Sequence, residues 1–223
     1  KDGLQLRRHR SWCASTDPQF DAKAADIIGL YPEPPKNALV LSVDEKPTIQ
    51  ALERARGYVQ TSSGKVVQGL KSTYKRHGTI NLFAALDVAS GVIHGKTTKT
   101  KKRIDFQAFM DEVVVEHAAN REIHVILDNL CTHKKNEDWL AAHPNVTFHF
   151  TPTSASWLNQ VEIWFGIFSR KALAGASFRN VEQLVQAIRD FTAAYNENAA
   201  PFVWRKREVK GAQLRNTIVN LRN

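Results

Sequence analysis

The sequence predicts an α/β domain built on a mixed five-stranded sheet flanked by helices. Three observations carry this. Five short β-rich segments are bounded by turn residues. The early ones are joined closely enough to pair antiparallel, while the later ones alternate with helical periodicity, which demands parallel crossovers. The 223 residues, 43% of them hydrophobic, suit one domain with arms, large enough to bury a core without disulfides.

Residues 1–36 are polar and basic, contain Pro18, Pro32, Pro34 and Pro35, and read as an arm with a short helix near residues 21–30. The first strand is 38–44, closed by Pro47. Residues 57–78 read as loops with an edge hairpin. Strands 79–88 and 91–98 follow, joined by a tight Ala-Ser-Gly turn. Phe106, Phe109, Met110, Val113, Val114 and His117 then recur at helical spacing, with Asp105 as N-cap. A strand at 122–128 ends in Asp128. A short helix at 134–142, a strand at 146–150 and an aromatic helix at 157–173 come next. Asn180 and Gln183 form a capping-box signal for a helix carrying Leu184, Val185, Ile188, Phe191 and Tyr195. A last helix is expected over 208–221. The order predicts a three-strand antiparallel meander joined to two parallel strands.

The net charge is +9, and the whole excess lies in residues 1–103. Clusters occur at Arg7, Arg8 and Arg10, at Lys71, Lys75 and Arg76, and at Lys96, Lys99, Lys101, Lys102 and Arg103. A basic half suits a polyanionic partner, nucleic acid above all, against the plainer reading of a solvated surface. With only Cys13 and Cys131, a disulfide framework is excluded and a reducing compartment expected. No apolar run is long enough to span a membrane. The chain starts with Lys1 and has no signal-type apolar segment, so a truncated or processed start is expected.

Three acids stand out by position. Asp44 and Asp128 end strands, and Glu162 sits early on the aromatic helix. Functional groups gather at strand carboxyl ends in such sheets. Parallel neighbours would set the two Asp residues side by side, and a helix carboxylate could close the cluster. Crowded carboxylates repel unless protons or cations intervene. Hard oxygen donors suit Mg2+ or Mn2+, and a pair of such ions stabilises the attacking and leaving oxygens of a phosphoryl displacement. Taken singly, each acid has an ordinary explanation, as a turn cap or a solvated helix residue. Glu45 rivals Asp44, but alternation puts the two on opposite faces. Asp87 is expected to serve its turn. A Walker-like stretch at 91–97 has one residue too few between its glycines and lies in a strand. The histidines show no zinc spacing with the cysteines. No Gly-x-Ser-x-Gly elbow occurs, and nothing suggests secretion to go with the Asn145 sequon.

The stretches VDEK (43–46), LDNLCTH (127–133) and TPTSASWLNQVE (151–162) resemble the three catalytic blocks of DDE transposases, bacterial insertion-sequence enzymes related to the mariner group. LFAALDVASG (82–91) and NENAAPFVW (196–204) resemble that family too. The resemblance runs from about residue 17 to 206. It implies a ribonuclease H-like fold over 37–205, after the arm 1–36 and before a helical tail 206–223. It places the metal-binding, catalytic acids on Asp44, Asp128 and Glu162, holding two divalent cations, Mg2+ or Mn2+. It implies cleavage of double-stranded DNA at transposon ends and transfer of the freed 3′-hydroxyl into target DNA, in the bacterial cytoplasm at the nucleoid. A homodimer on DNA follows from the need to join two ends.

Asn129, His133 and Asn159 are accessory candidates, for holding a phosphate or orienting a carboxylate. His133 is equally a helix-start residue near Thr132. Lys46, Arg76, Lys96, Lys99, Lys101, Lys102 and Arg103 are candidate phosphate contacts, which fix position without reading sequence. Trp157 is a candidate for stacking on a displaced base, against the commoner role of packing in a core. Phe165 and Phe168 are expected in the core, and Cys131 as a small buried thiol. Full transposases of this kind carry helix-turn-helix modules before the catalytic domain, and none is visible before residue 36. Two other readings stay open: a ribonuclease H-like nuclease without strand transfer, and a transposase-derived DNA-binding protein without catalysis.

Overall fold

The computed structural model describes residues 15–115 and 121–203. Five strands run β1 (Leu39–Gln60), β2 (Val66–Asp87), β3 (Ile93–Thr98), β4 (Ile123–Leu127) and β5 (Val146–Phe150). Their order in the sheet is β3-β2-β1-β4-β5. β1, β2 and β3 form an antiparallel meander, and β4 and β5 run parallel to β1. Helices α1 (Phe20–Leu30), α2 (Arg103–Val115), α3 (Glu137–Ala142), α4 (Val161–Phe168) and α5 (Val181–Asn196) flank it. The expected helix at 208–221, His117, and the Arg7–Arg10 cluster lie outside the described residues.

Strand alternation divides the core. Leu39, Leu41, Val43, Ile123, Val125 and Leu127 face one way and bury Phe106, Phe109 and Met110 of α2. The opposite face is covered by two groups. Trp164, Phe165 and Phe168 of α4 and Leu184 and Ile188 of α5 pack on Leu82, Ala84 and Leu86. Ala24, Ile27 and Leu30 of α1 pack on Val40, Ile126 and Leu158. The helix inside the segment read as an arm thus belongs to the core. Trp164 is fully buried and stacks on Phe168 of the same helix at 5.5 Å, and burial of both rings against Leu82, Ala84 and Leu86 holds α4 on the sheet.

Several sequence expectations are corrected. β1 does not stop at Pro47. The register shifts between Lys46 and Ile49, so the residue lacking an N–H falls where the ladder is already interrupted. Thr48 there takes φ 53°, and its N–H donates to Asn81 Oδ1 at 3.0 Å. Beyond this bulge β1 and β2 run on as a long two-stranded ribbon, turning at Thr61–Lys65. The loops expected over 57–78 are therefore mostly strand. Asp105 sits in the first turn of α2 rather than before it, its Oδ2 accepting from Lys102 N–H at 2.8 Å and from the Thr100 hydroxyl. The single helix expected at 157–173 is broken into a 3₁₀ turn (Ser156–Leu158), α4 and a π turn (Ser169–Leu173).

Asn180 caps α5 as the sequence indicated, accepting from Gln183 N–H at 2.8 Å. The return bond from Gln183 reaches Arg179 N–H, one residue earlier than a capping box. Asp87 serves its turn, accepting from Ala89 N–H and the Ser90 hydroxyl. At the far end of α5, Asn196 donates to and accepts from the backbone of Ile93, at 2.8 and 2.9 Å.

Candidate active site

The site is set first by register. β1 and β4 pair in parallel from Leu39 opposite Ile123 to Ser42 opposite Ile126. Two residues further, Asp44 and Asp128 arrive at the same level. Both continue the face of Ser42 and Ile126, toward α4. Asp44 and Asp128, together with His133, each bring one donor atom within 4.8 Å of the others.

Asp44 is nearly enclosed, at 5% exposure. Its Oδ1 accepts from the Glu45 N–H at 2.8 Å. Asn159, fully buried, donates to Val43 O at 2.9 Å and to Asp44 Oδ2 at 3.4 Å. Asn159 Oδ1 accepts from the Ser42 hydroxyl, whose oxygen accepts from Val161 N–H at 2.8 Å. One amide thus ties β1, just past its last pair with β4, to the start of α4; Asp44 lies within β1 and does not end it as the sequence suggested. Burial, then the charge of Asp128, push the Asp44 carboxyl up to about 7.

Asp128 is held differently. Its Oδ1 accepts from Leu130 N–H at 2.9 Å and from His133 Nδ1 at 2.8 Å. The His133 ring has no exposure and packs against Phe106 at 4.8 Å between centroids. Its other nitrogen lies 3.2 Å from Glu45 Oε2, and Glu45 Oε1 lies 3.4 Å from Lys101 Nζ. Ionised carboxylates only accept hydrogen bonds, so a ring facing one on each side carries two protons. Burial opposes that charge, but Asp128 and then Glu45 outweigh it and raise His133 to about 9. Burial likewise opposes ionised Asp128, yet the His133 bond prevails and holds it below the usual carboxylate range.

Glu162 lies on the exposed side of the first turn of α4, because Val161, Trp164, Phe165 and Phe168 claim the inward side. It is outside the 4.8 Å group. Partial burial raises it above the usual range, with Lys46 opposing and the charges on Asp128 and Glu45 adding. Its own charge in turn raises Asp44. The donor set fits a hard divalent cation: oxygen ligands, crowded, with one held protonated for want of a counter-charge. His133 has no lone pair to offer in its charged form and so fits beside the ligands rather than among them.

The sequence family described as DDE superfamily endonuclease matches residues 40–185, a span that includes Asp44, Asp128 and Glu162. The chain belongs to the DDE superfamily endonucleases. Among solved structures, a chain of the Mos1 strand transfer complex is similar, with TM-score 0.60 and 15% identity, over 86% of this chain and 59% of that one. This chain therefore spans about three-fifths of the chain it matches, and the two share the ribonuclease H-like fold. A chain of a simian T-cell lymphotropic virus intasome bound to PP2A regulatory subunit B56 gamma also matches, with TM-score 0.37, 12% identity, 72% of this chain and 58% of that one. No match is found among curated proteins.

The endonuclease fold distributes the remaining sequence candidates unevenly. Asn129 donates to Thr151 O and so ties the ends of β4 and β5. Lys101 reaches Glu45, and Arg103 donates to Cys131 O at 3.3 Å, placing the loop before α2 beside the site. Lys99 and Lys102 are exposed on the same loop. Lys96 is engaged by Glu112 at 2.7 Å. Lys46 lies 6.0 Å over the Phe165 ring, and Arg76 packs on Tyr74 out on the ribbon. Trp157 is 60% exposed, contrary to a core role. Cys131 is exposed, not buried, because it sits on the turn after β4. Phe165 and Phe168 are in the core as expected. Glu45 was set aside by alternation, which does put it on the face opposite Asp44. His133, an accessory candidate in the sequence, orients Asp128 and also reaches Glu45, and this link extends the site to that face. No described helix is long and apolar enough to cross a membrane.

Proposed function

We propose that this chain is the catalytic domain of a transposase, cutting DNA at transposon ends and transferring the freed 3′-hydroxyl to target DNA. The observation that carries this is the register-matched pair Asp44 and Asp128 with Glu162 facing them, in a chain of the DDE superfamily endonucleases. Asp44, Asp128 and Glu162 would hold two Mg2+ or Mn2+ ions. When bound, such ions make water a stronger nucleophile at neutral pH and take up charge on the attacked phosphate.

The chain's own residues prepare that chemistry. Asn159 holds Asp44 against the β1 backbone at Val43. The Asp44 proton, retained while three acids face one another, must leave for the carboxylate to ligate. His133 and Leu130 N–H hold one oxygen of Asp128. Lys99, Lys102 and Arg103 on the adjoining loop suit phosphates on either side of the scissile bond. Trp157, exposed on the turn entering α4, suits a base that has left the stack. In the hydrolytic step water forms the new P–O bond, the 3′-oxygen leaves and takes a proton, and a 5′-phosphate remains. In the second step that 3′-hydroxyl forms a new P–O bond to a target phosphodiester, and the target's own 3′-oxygen leaves and takes up the proton. Two copies of the chain on DNA would bring two ends together, and the reaction belongs beside a bacterial nucleoid.

The test is cleavage of a labelled duplex with Mg2+, Mn2+ or chelator, by wild type and by Asp44→Asn, Asp128→Asn and Glu162→Gln. Metal-dependent nicking lost in all three variants, followed by joining of a 3′-hydroxyl end to a second duplex, is expected. Nicking without joining would leave a nuclease only. Nicking that persists in Asp128→Asn would refute the assignment.

A further inference from the structure

Glu45 is an anomaly on its own face. It follows Leu41 and Val43 down the side of β1 that packs on α2, where the neighbours are aliphatic and aromatic. Its side chain is 3% exposed, too enclosed to meet DNA. A carboxylate that deep is costly unless it is partnered, and its partners are Lys101 at the rim and His133 within. His133 spends its second nitrogen on Asp128. The result is an unbroken line from Lys101 through Glu45 and His133 to Asp128.

Asp128 needs such a line. It lies just past the last residue of β4, and its side chain is 29% exposed. Without an anchor it is free to turn toward water. With Oδ1 occupied by His133 and Leu130 N–H, Oδ2 receives no hydrogen bond among the described residues. That leaves one oxygen of Asp128 available in the space it shares with Asp44. The ring is confined, because Phe106 packs on it, Asp128 bonds one nitrogen and the Glu45 carboxylate lies 3.2 Å from the other.

We propose that Glu45 is a positioning residue of the active site, which acts through His133 to fix the orientation of Asp128 and leave its free oxygen for cation binding. This rests on the two-cation reading of Asp44, Asp128 and Glu162. Glu45 touches neither substrate nor cation. Removing it releases the far side of the His133 ring and lets Asp128 reorient, so cation affinity falls while the chemistry at saturating cation survives. Groups placed behind metal ligands in this way change affinity by about 10- to 100-fold when removed.

The experiment is Mn2+ binding to the full chain by titration calorimetry without DNA, beside DNA cleavage as a function of Mn2+. Wild type is compared with Glu45→Leu, Glu45→Gln, His133→Gln, the Glu45→Gln/His133→Gln pair and Asp128→Asn. Glu45→Leu is expected to weaken Mn2+ binding by about 10-fold or more. Glu45→Gln is expected to lie between it and wild type, since an amide keeps the polar contact with the ring but not the charge. In Glu45→Gln the Mn2+ needed for half-maximal cleavage rises and the maximal rate returns. The double variant should bind no more weakly than His133→Gln alone. If Glu45→Leu does not fold, Glu45→Gln and the double variant carry the test. Unchanged Mn2+ binding in the Glu45 variants, with binding lost in Asp128→Asn, overturns the inference alone. Unchanged binding in Asp128→Asn overturns the cation reading and the inference with it.

Discussion

Substituting Asp44 by Asn should stabilise the metal-free protein, and by an amount that depends on pH. Well below 3.8 the carboxyl is neutral in the folded and unfolded chains alike, and near pH 4 Asp and Asn still differ by less than about 1 kcal/mol. Above its ordinary value of 3.8 the unfolded chain ionises while the folded chain resists, because burial and the charge of Asp128 hold Asp44 at about 7. The penalty on folding grows through that window and is constant above it. At about 1.4 kcal/mol per pKa unit, the full penalty is on the order of 4 kcal/mol. For a domain of this size that is a rise in Tm of roughly 10 °C. Asn keeps the shape and removes the charge, so the variant escapes the penalty.

The assay is thermal and urea unfolding of wild type and Asp44→Asn in chelator from pH 4 to 8. The two should coincide at the acid end and diverge to a plateau above pH 7, the variant being the more stable. Adding Mn2+ should close the gap by stabilising only the wild type. A variant less stable than wild type at pH 8, or a gap independent of pH, would refute the crowded-carboxylate account of the site.

Three further outcomes are expected. Gly91 takes φ 78°, and a Cβ there would meet Ala200 O at 2.2 Å; Gly91→Ala should therefore lose about 1–3 kcal/mol, with faster amide exchange where Asn196 holds β3. DNA affinity should fall steeply with salt, as phosphate contacts require. Trp157→Ala should weaken binding to a splayed duplex more than to an intact one without changing Tm, and equal losses on both would remove the stacking role.

The strands were legible in the sequence because their turns and edges are local: Val146–Phe150 appears where read, and the meander follows from the Ala-Ser-Gly turn. Pairing between β1 and β4 was legible only as a topology. The bulge at Pro47 was not, because it depends on the Asn81 side chain on the neighbouring strand. The ribbon beyond it has no alternating apolar pattern, since little of it packs on the core, so periodicity passed it over. Cys131 was misjudged, and Trp157 was left between stacking and core, for a related reason: burial is decided by what folds over a residue, and composition around it does not report that.

Of the site, the identities and order of Asp44, Asp128 and Glu162 are properties of the chain; the sequence put Asp44 at a strand end, whereas β1 runs on past it to Gln60. Their spacing in the fold is not such a property. Register across parallel strands, separated by over eighty residues of chain, brings two acids together, and packing of Trp164 and Phe168 places the third at the rim. Which protons they keep depends on burial and on one another's charge. The coupling of Glu45 to Asp128 exists only because His133 crosses from one face of the sheet to the other. Alternation along a single strand cannot show a contact that runs around its end.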